Sequence, residues 1–486
     1  MDNKYLVKGK YYPTIGVECH VQLKTLTKLF AGVNNDARDA EPNTLISPLC
    51  IGMPGTLPVL NAKAVELAIR AGLALRAEIA ENSFFDRKHY FYPDLPKGYQ
   101  ITQFEQPVVG KGIVEIPMED GSLLEVGITR AHLEEDAGKS IHPDGKDYSL
   151  VDLNRTGTPL LEIVSEADMH SPAEAKAFVR ELYLLMKYSD VSDVDLYHGN
   201  MRFDVNVSVS KDPSKLGIRS ETKNLNSFRS VEKAVDYEIN RQIDVLEKGG
   251  LVVQETRGWD EAKQKTTSQR GKEDSHDYRY FPEPDVPPIK IDKKTVAEIA
   301  KSMPLLPPTI REKLQGYGLS SSAIDTILEE PEMAELILYV SDAHDEKTAK
   351  TIINWSLGEL QRLFIKGELS WARVKESITN VVKLASMQDG NQISSTAAKE
   401  LLIDVVAKNI DPEKLAKEKN ILQVSDDGEL AIIIEQVLGE NQTAVNDVRS
   451  GELKAIGFLV GQVMKLSKGR ANPAKVQELI KKQLGV

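Results

Sequence analysis

At 486 residues the chain is too long for one ordinary hydrophobic core, and roughly two to four domains are expected. Its 41% hydrophobic and 28% charged residues describe a soluble globular protein, with no apolar run of membrane-spanning length and no signal-peptide stretch in the opening MDNKYLVKGKYYPT. A formal net charge of −12 argues against broad nucleic-acid binding, so DNA is not an expected partner, and two cysteines make no disulfide framework and fit a reducing compartment such as the cytoplasm.

The first predicted element is a strand, TIGVECHVQL (14–23). Alternation puts Ile15, Val17, Cys19 and Val21 on one face and Glu18 with His20 on the other. Next, DRKHYFYPDLPKGYQITQ (86–103) reads as a basic, aromatic, proline-broken loop. It suits stacking on a base, or equally aromatic packing under a long loop. RAHLEEDAGKS (130–140) carries Glu134, Glu135 and Asp136 in succession. Its end imitates a phosphate-binding P-loop, but Leu133 stands where the first glycine is required and the acids would repel phosphate. GTPLLEIVSE (157–166) sets Glu162 in an apolar run.

SPAEAKAFVRELYLLMKYS (171–189) is a predicted helix with Ser171 as N-cap and Pro172 in the first turn. MRFDVNVSVS (201–210) is a strand with Arg202, Asp204, Asn206, Ser208 and Ser210 on one face. RSETKN (219–224) holds Glu221 between basic residues, and a second helix spans 227–250. The segment 255–285 contains Arg257, Arg270, Lys272 and Arg279; polyanion contact and a purely structural loop are equally consistent with it. FPEPDVPP (281–288) marks a domain exit, after which short amphipathic helices replace strands. A softer boundary near 390–410 precedes a small helical module whose last part, 451–486, is basic with Lys454, Lys465, Lys468 and Arg470. The expected domains are therefore 1–292, 293–408 and 409–486.

Several carboxylates and His20 embedded in apolar strands suit Mg²⁺, a hard cation that takes carboxylates, water and substrate phosphates. A solvated polar face, common on antiparallel sheets, is the other reading. His89, His142, His170, His198, His276 and His344 have no partner at ligand spacing, and His132, beside the acid run, is a lesser candidate. Cys19 faces away from His20 and is expected in the core.

Taken together, IGVECHVQLKTLTKLF (15–30), HYFYPDLPKGYQITQ (89–103), HLEEDAGKS (132–140), DLNRTGTPLLEIVSE (152–166), MRFDVNVSVS (201–210), ETKNLNSFRSVEKA (221–234) and TRGWDEAKQKTTSQRGKEDSHDYRYFPEPDVPP (256–288) are recognisable. The chain resembles the B-subunit family of the bacterial glutamyl/aspartyl-tRNA amidotransferases, nearly end to end; AIGFLVGQVMKLSKGRANP (455–473) resembles that family's helical tail.

The resemblance implies an α+β protein. A glutamine-synthetase-like antiparallel-sheet cradle would carry catalysis, followed by an all-helical domain and a small helical tail that binds tRNA. It implies that ATP phosphorylates the side-chain carboxylate of a misacylated tRNA, Glu-tRNA(Gln) or Asp-tRNA(Asn), and that ammonia displaces the phosphate. Mg²⁺ and ATP are the implied cofactor and co-substrate. The pocket carries over to Glu18, His20, Glu134, Glu135, Glu162, Asp204, Asn206 and Glu221, all present here. Glu18, His20, Glu135 and Glu162 are the implied catalytic residues and, with Glu134, the metal ligands. Asp204, Asn206 and Glu221 are the implied second-cation or nucleotide contacts. Arg155 is either a phosphate contact or an ion pair fixing its turn.

The resemblance implies that glutamine hydrolysis belongs to an amidase A subunit and that a small C subunit completes a heterotrimer; this chain itself shows no glutaminase constellation, so its ammonia would come from elsewhere. Departures from the family pattern are few. Only Cys50 remains of a cysteine set near 31–50, so structural zinc is not expected. Leu153, Ser210 and Cys19 also differ without removing a ligand. A non-catalytic tRNA-binding scaffold of the same complex is the alternative, and the acidic pocket speaks against it.

Overall fold

In the computed structural model the described residues are 5–271, 277–422, 427–450, 452, 454–467 and 471–485. Lys272, His276, Lys468 and Arg470 lie outside them, as does the side chain of Arg270. The chain divides into two compact units, Met1–Thr309 and Ile310–Val486.

The first unit is built on an 11-stranded sheet. At its middle lies Tyr12–Gln22, paired antiparallel with Met201–Ser210 on one side and Pro159–Ser165 on the other. Beyond Pro159–Ser165 come Leu123–Glu135, Tyr99–Thr102 and Asp86–His89. Beyond Met201–Ser210 come Ser220–Leu225 and Glu255–Asp260, whose mutual pairing is parallel. The strands form where β-branched and aromatic residues alternate with polar ones. Ile15, Val17, Cys19 and Val21 are all buried, as are Phe203, Val205 and Val207 of the neighbouring strand. They share one core with the apolar stripes of helices Ala62–Ala74, Pro172–Tyr188 and Phe228–Glu247. Helix Pro172–Tyr188 starts at the cap expected from the sequence, Ser171, which accepts from the Glu174 N–H, and in the structure Ser227 accepts likewise from the Ser230 N–H to open Phe228–Glu247. Strand alternation therefore leaves the opposite face of the central strands to Glu18, His20 and their neighbours.

Helix Lys293–Lys301 sends Val296 and Ile299 onto the first unit's core, so this unit runs past residue 292 to Thr309. In the second unit, helix Pro412–Glu418 buries Leu415 and Ala416 beside helices Ile378–Asp389 and Ser395–Lys408. A separate small core then gathers Leu430, Ile434, Val445, Leu459, Val463, Val476 and Ile480. The helical tail thus closes on itself from about Leu430, later than the expected start at 409. Among the described residues no helix is long and apolar enough to cross a membrane.

Candidate active site

Strand register decides which polar side chains meet. Glu18 lies opposite Asp204, and His20 lies opposite Glu162 on the other neighbour. One strand further out on each side, Glu162 lies opposite His132 and Asn206 opposite Glu221. The result is two trios, His20–Glu134–Glu162 and Glu18–Asp204–Glu221, each offering ligand atoms within 4.8 Å of one another. His20 Nε2 is 3.3 Å from Glu162 Oε2 and 3.9 Å from Glu134 Oε1. His132 Nε2 stands 3.6 Å from Glu162 Oε2 and 3.7 Å from Glu134 Oε2. The Asn206 side-chain amide donates to Glu18 Oε1 at 3.1 Å, and Thr256 Oγ1 donates to Glu221 Oε2 at 2.9 Å.

A bulge shapes the second trio. The ladder between Met201–Ser210 and Ser220–Leu225 shifts register around Asp204, and Asn224 takes a left-handed φ of 60°. Its N–H then donates to Asp204 Oδ1 at 2.8 Å, while Lys223 Nζ reaches both Asp204 at 3.0 Å and Glu221 at 2.8 Å.

Both trios open into one cavity of about 760 Å³. Its acidic floor is bordered by Lys88, Arg202, Arg219 and Lys223 and by Tyr90, Tyr92 and Tyr278. Arg202 reaches Asp136 Oδ2 at 3.1 Å. Charge crowding perturbs the site. Burial, with the charges of Glu162 and Glu221, raises the Glu18 carboxyl. Burial opposes the imidazolium of His20, yet the hydrogen bond and charge of Glu162 with the charges of Asp204 and Glu134 outweigh it and lift the group to about 9. Glu162 is driven down: burial resists, but His132, His20 and Lys88 together prevail. Lys223 is raised because Asp204 and Glu221 overcome its desolvation. Shifts of both signs concentrated in one cleft are typical of a functional site. The donor set of the trios, five carboxylates and one imidazole, fits a hard divalent cation, whose charge would relieve the mutual repulsion that raises Glu18.

Two residues implied for the pocket do not join it. Glu135 follows Glu134 on a strand and so points through the sheet to the opposite face. There it pairs with the buried Lys97 and accepts from the Ile101 N–H at 2.8 Å. The structure brings Glu134, and not Glu135, to the imidazole. Arg155 donates to Ala137 O at 2.9 Å and Gly138 O at 2.7 Å and pairs with Asp136 at 3.2 Å, so it fixes its turn and its neighbouring loop. Arg257 is likewise structural, buried against Glu238 and Glu255. Arg279 is exposed and pairs with Asp277. Cys19 sits fully in the core, where burial pushes its thiol up, and Cys50 is buried beside Ser47 and Lys28.

The sequence pattern underweights Lys88, which lines the cavity, and His132, buried beside the cavity's Glu134 and Glu162. Lys88 lies on strand Asp86–His89, inside a stretch that reads as a loop, so no face is assigned to it. His132 stands two residues before Glu134 in LEVGITRAHLEE, and alternation along that run puts them on the same face.

The GatB/GatE catalytic domain family matches residues 13–297 and the GatB domain family matches residues 338–484. The B subunit of the aspartyl/glutamyl-tRNA(Asn/Gln) amidotransferase of Carboxydothermus hydrogenoformans is 43% identical over 98% of this chain and 99% of its own length. Its counterpart from a Thermoanaerobacter species is 46% identical, again over 98% and 99%. That of Ectopseudomonas mendocina is 45% identical over 97% and 98%. The chain belongs to the family of aspartyl/glutamyl-tRNA amidotransferase B subunits.

Proposed function

We propose that this protein uses ATP to phosphorylate the side-chain carboxylate of Glu-tRNA(Gln) or Asp-tRNA(Asn), and that ammonia supplied by a partner chain then displaces the phosphate to leave the amide. The juxtaposition of the two carboxylate trios in one cation-bordered cavity carries this reading. A carboxylate resists ammonia until one oxygen has become part of a leaving group. Its oxygen attacks the γ-phosphorus and ADP departs; ammonia then adds to the acyl carbon, and inorganic phosphate leaves with the former carboxylate oxygen. Mg²⁺ held by Glu18, His20, Glu134, Glu162, Asp204 and Glu221 would neutralise phosphate charge as the two anions meet.

The remaining residues bind and orient. Lys88, Arg202, Arg219 and Lys223 attract phosphates to the mouth. Tyr90, Tyr92 and Tyr278 give aromatic surface to the aminoacylated tRNA end. Asn206 and Thr256 fix the carboxylates of Glu18 and Glu221. In this reading the large sheet is a glutamine-synthetase-like cradle in a cytoplasmic heterotrimer with an amidase A subunit and a small C subunit, and the basic tail contacts tRNA.

The test is ATP hydrolysis and amide formation by the assembled complex with glutamyl-tRNA. Glu18→Gln and Glu134→Gln are expected to lower both by roughly 10²-fold or more, in line with loss of charge stabilisation at the reacting phosphate, while tRNA binding persists. Normal amide formation in both variants would refute the metal-site reading.

A further inference from the structure

Carboxylates outnumber basic side chains along the wall of the main cavity, so an anionic acceptor entering it has to be met by a cation of the protein. We infer that Arg202, beyond helping to draw phosphates in, seats the side-chain carboxylate carried by the tRNA; the inference deepens the phosphoryl-transfer reading above and rests on it.

The four basic side chains at the wall are not equivalent. Lys223 is already held by Asp204 at 3.0 Å and by Glu221 at 2.8 Å, two members of the second trio. Arg219 is exposed and also lines a second, smaller cavity that runs from Glu18 toward Thr14, away from His20. Lys88 places its ammonium 5.0 Å from the centre of the Tyr278 ring, and an ammonium is a point charge without a planar fork. Arg202 lies opposite His20 in the strand register, and Glu162 lies opposite His20 on the other neighbouring strand. Neighbouring strands run about 4.8 Å apart. An acceptor held by Arg202 therefore stands beside the His20–Glu134–Glu162 trio, where phosphate charge would be neutralised.

The guanidinium is aimed without being cancelled. Among the described residues its one hydrogen-bond acceptor is Asp136 Oδ2 at 3.1 Å, which leaves most of its N–H donors uncommitted. Asp136 is itself shared: Arg155 Nε reaches the same oxygen at 3.2 Å, and the Ala137 N–H donates to Oδ1 at 2.9 Å. One carboxylate between two guanidinium groups fixes Arg202 and leaves positive charge over. The Arg202 side chain is only 22% exposed, so water screens that charge poorly. A guanidinium edge matches a carboxylate through two parallel N–H···O bonds. Each carboxylate oxygen keeps a second lone pair, with which one of them can attack phosphorus. Leu160, on the same wall, gives apolar contact to the methylenes behind the carboxylate. Amidation removes the negative charge, so the product loses the charge-assisted bond that held the substrate.

The experiment uses the assembled complex with Mg²⁺ but without ATP or glutamine, so that nothing turns over. Glutamyl-tRNA and glutaminyl-tRNA, which differ only in carboxylate against amide, are the binding probes. The unsubstituted complex is expected to bind glutamyl-tRNA the more tightly. Arg202→Gln is expected to reduce that preference by roughly tenfold or more, with glutaminyl-tRNA affinity and melting temperature little changed. Arg202→Lys, which keeps the charge and loses the fork, is expected to retain part of the preference. A preference equal to that of the unsubstituted complex in both folded variants would overturn the assignment. So would equal weakening of both tRNAs, the mark of a merely structural tie to Asp136, or a loss confined to Mg-ATP, which would make Arg202 a phosphate contact only. Failure of the unsubstituted complex to hydrolyse ATP with glutamyl-tRNA would strike instead at the phosphoryl-transfer reading.

Discussion

Glu134 reaches to 3.9 Å from His20 Nε2, whereas the next residue, Glu135, accepts a hydrogen bond from the Ile101 N–H on the other side of the sheet. Two identical side chains one residue apart are thus given different work by strand geometry alone. Glu135→Gln leaves Lys97 buried without its counter-charge, and uncompensated buried charge costs about 3–5 kcal/mol. A fall in melting temperature is expected, with Mg-dependent nucleotide binding retained; loss of that binding at full stability would return Glu135 to the metal site. The alternation that separates the pair is already visible in RAHLEED, so the sequence resemblance, taken residue by residue, implied one ligand too many. By contrast Glu18, His20, Glu162 and Asp204 each stand out in an apolar alternating run. Their meeting was not legible, because cross-strand register joins residues 18 and 204, or 132 and 162, through long-range pairing that no local pattern encodes.

At the scale of elements, the outer part of the sheet is tied to helix Phe228–Glu247 by one buried carboxylate. Glu238 accepts from Ser220 Oγ at 2.7 Å and pairs with Arg241 at 2.8 Å and Arg257 at 3.0 Å, joining the helix to strands Ser220–Leu225 and Glu255–Asp260. Burial resists its ionisation, but Arg241, Thr266 and Ser220 prevail and hold it below the ordinary carboxylate value of 4.5. A depressed folded value means that this stabilisation is present above the unfolded value and is lost as pH falls through the folded one. Glu238→Gln is expected to cost about 3–5 kcal/mol near neutral pH and to flatten the acid limb of stability. Melting curves from pH 7 down to about 3 check this, and an unchanged acid limb would contradict it. The helix is legible in SFRSVEKAVDYEINRQ, although its capping by Ser227 is a finding of the structure. Arg257 was ambiguous between polyanion contact and structure, since nothing local names Glu238 as its partner.

At the scale of the molecule, the change from strand-rich to helical character near residue 290 was legible from periodicity. Its exact boundaries were not, because Val296 and Ile299 pack backward onto the first core and Leu415 packs with the preceding helices. A cut that respects these contacts removes 423–486 and spares Pro412–Glu418. That deletion is expected to weaken tRNA affinity while leaving ATP affinity within about twofold, a difference of under ~0.5 kcal/mol; equal affinity for tRNA with and without the tail would refute a tRNA role for it.

The central claim is that the substrate carboxylate itself becomes the phosphoryl acceptor. Glutamyl-tRNA labelled with heavy oxygen in its side-chain carboxylate tests this most directly when turned over by the complex with ATP and glutamine. Inorganic phosphate carrying a heavy oxygen for each amide formed is the expected result, and unlabelled phosphate alongside normal amide formation would contradict the account.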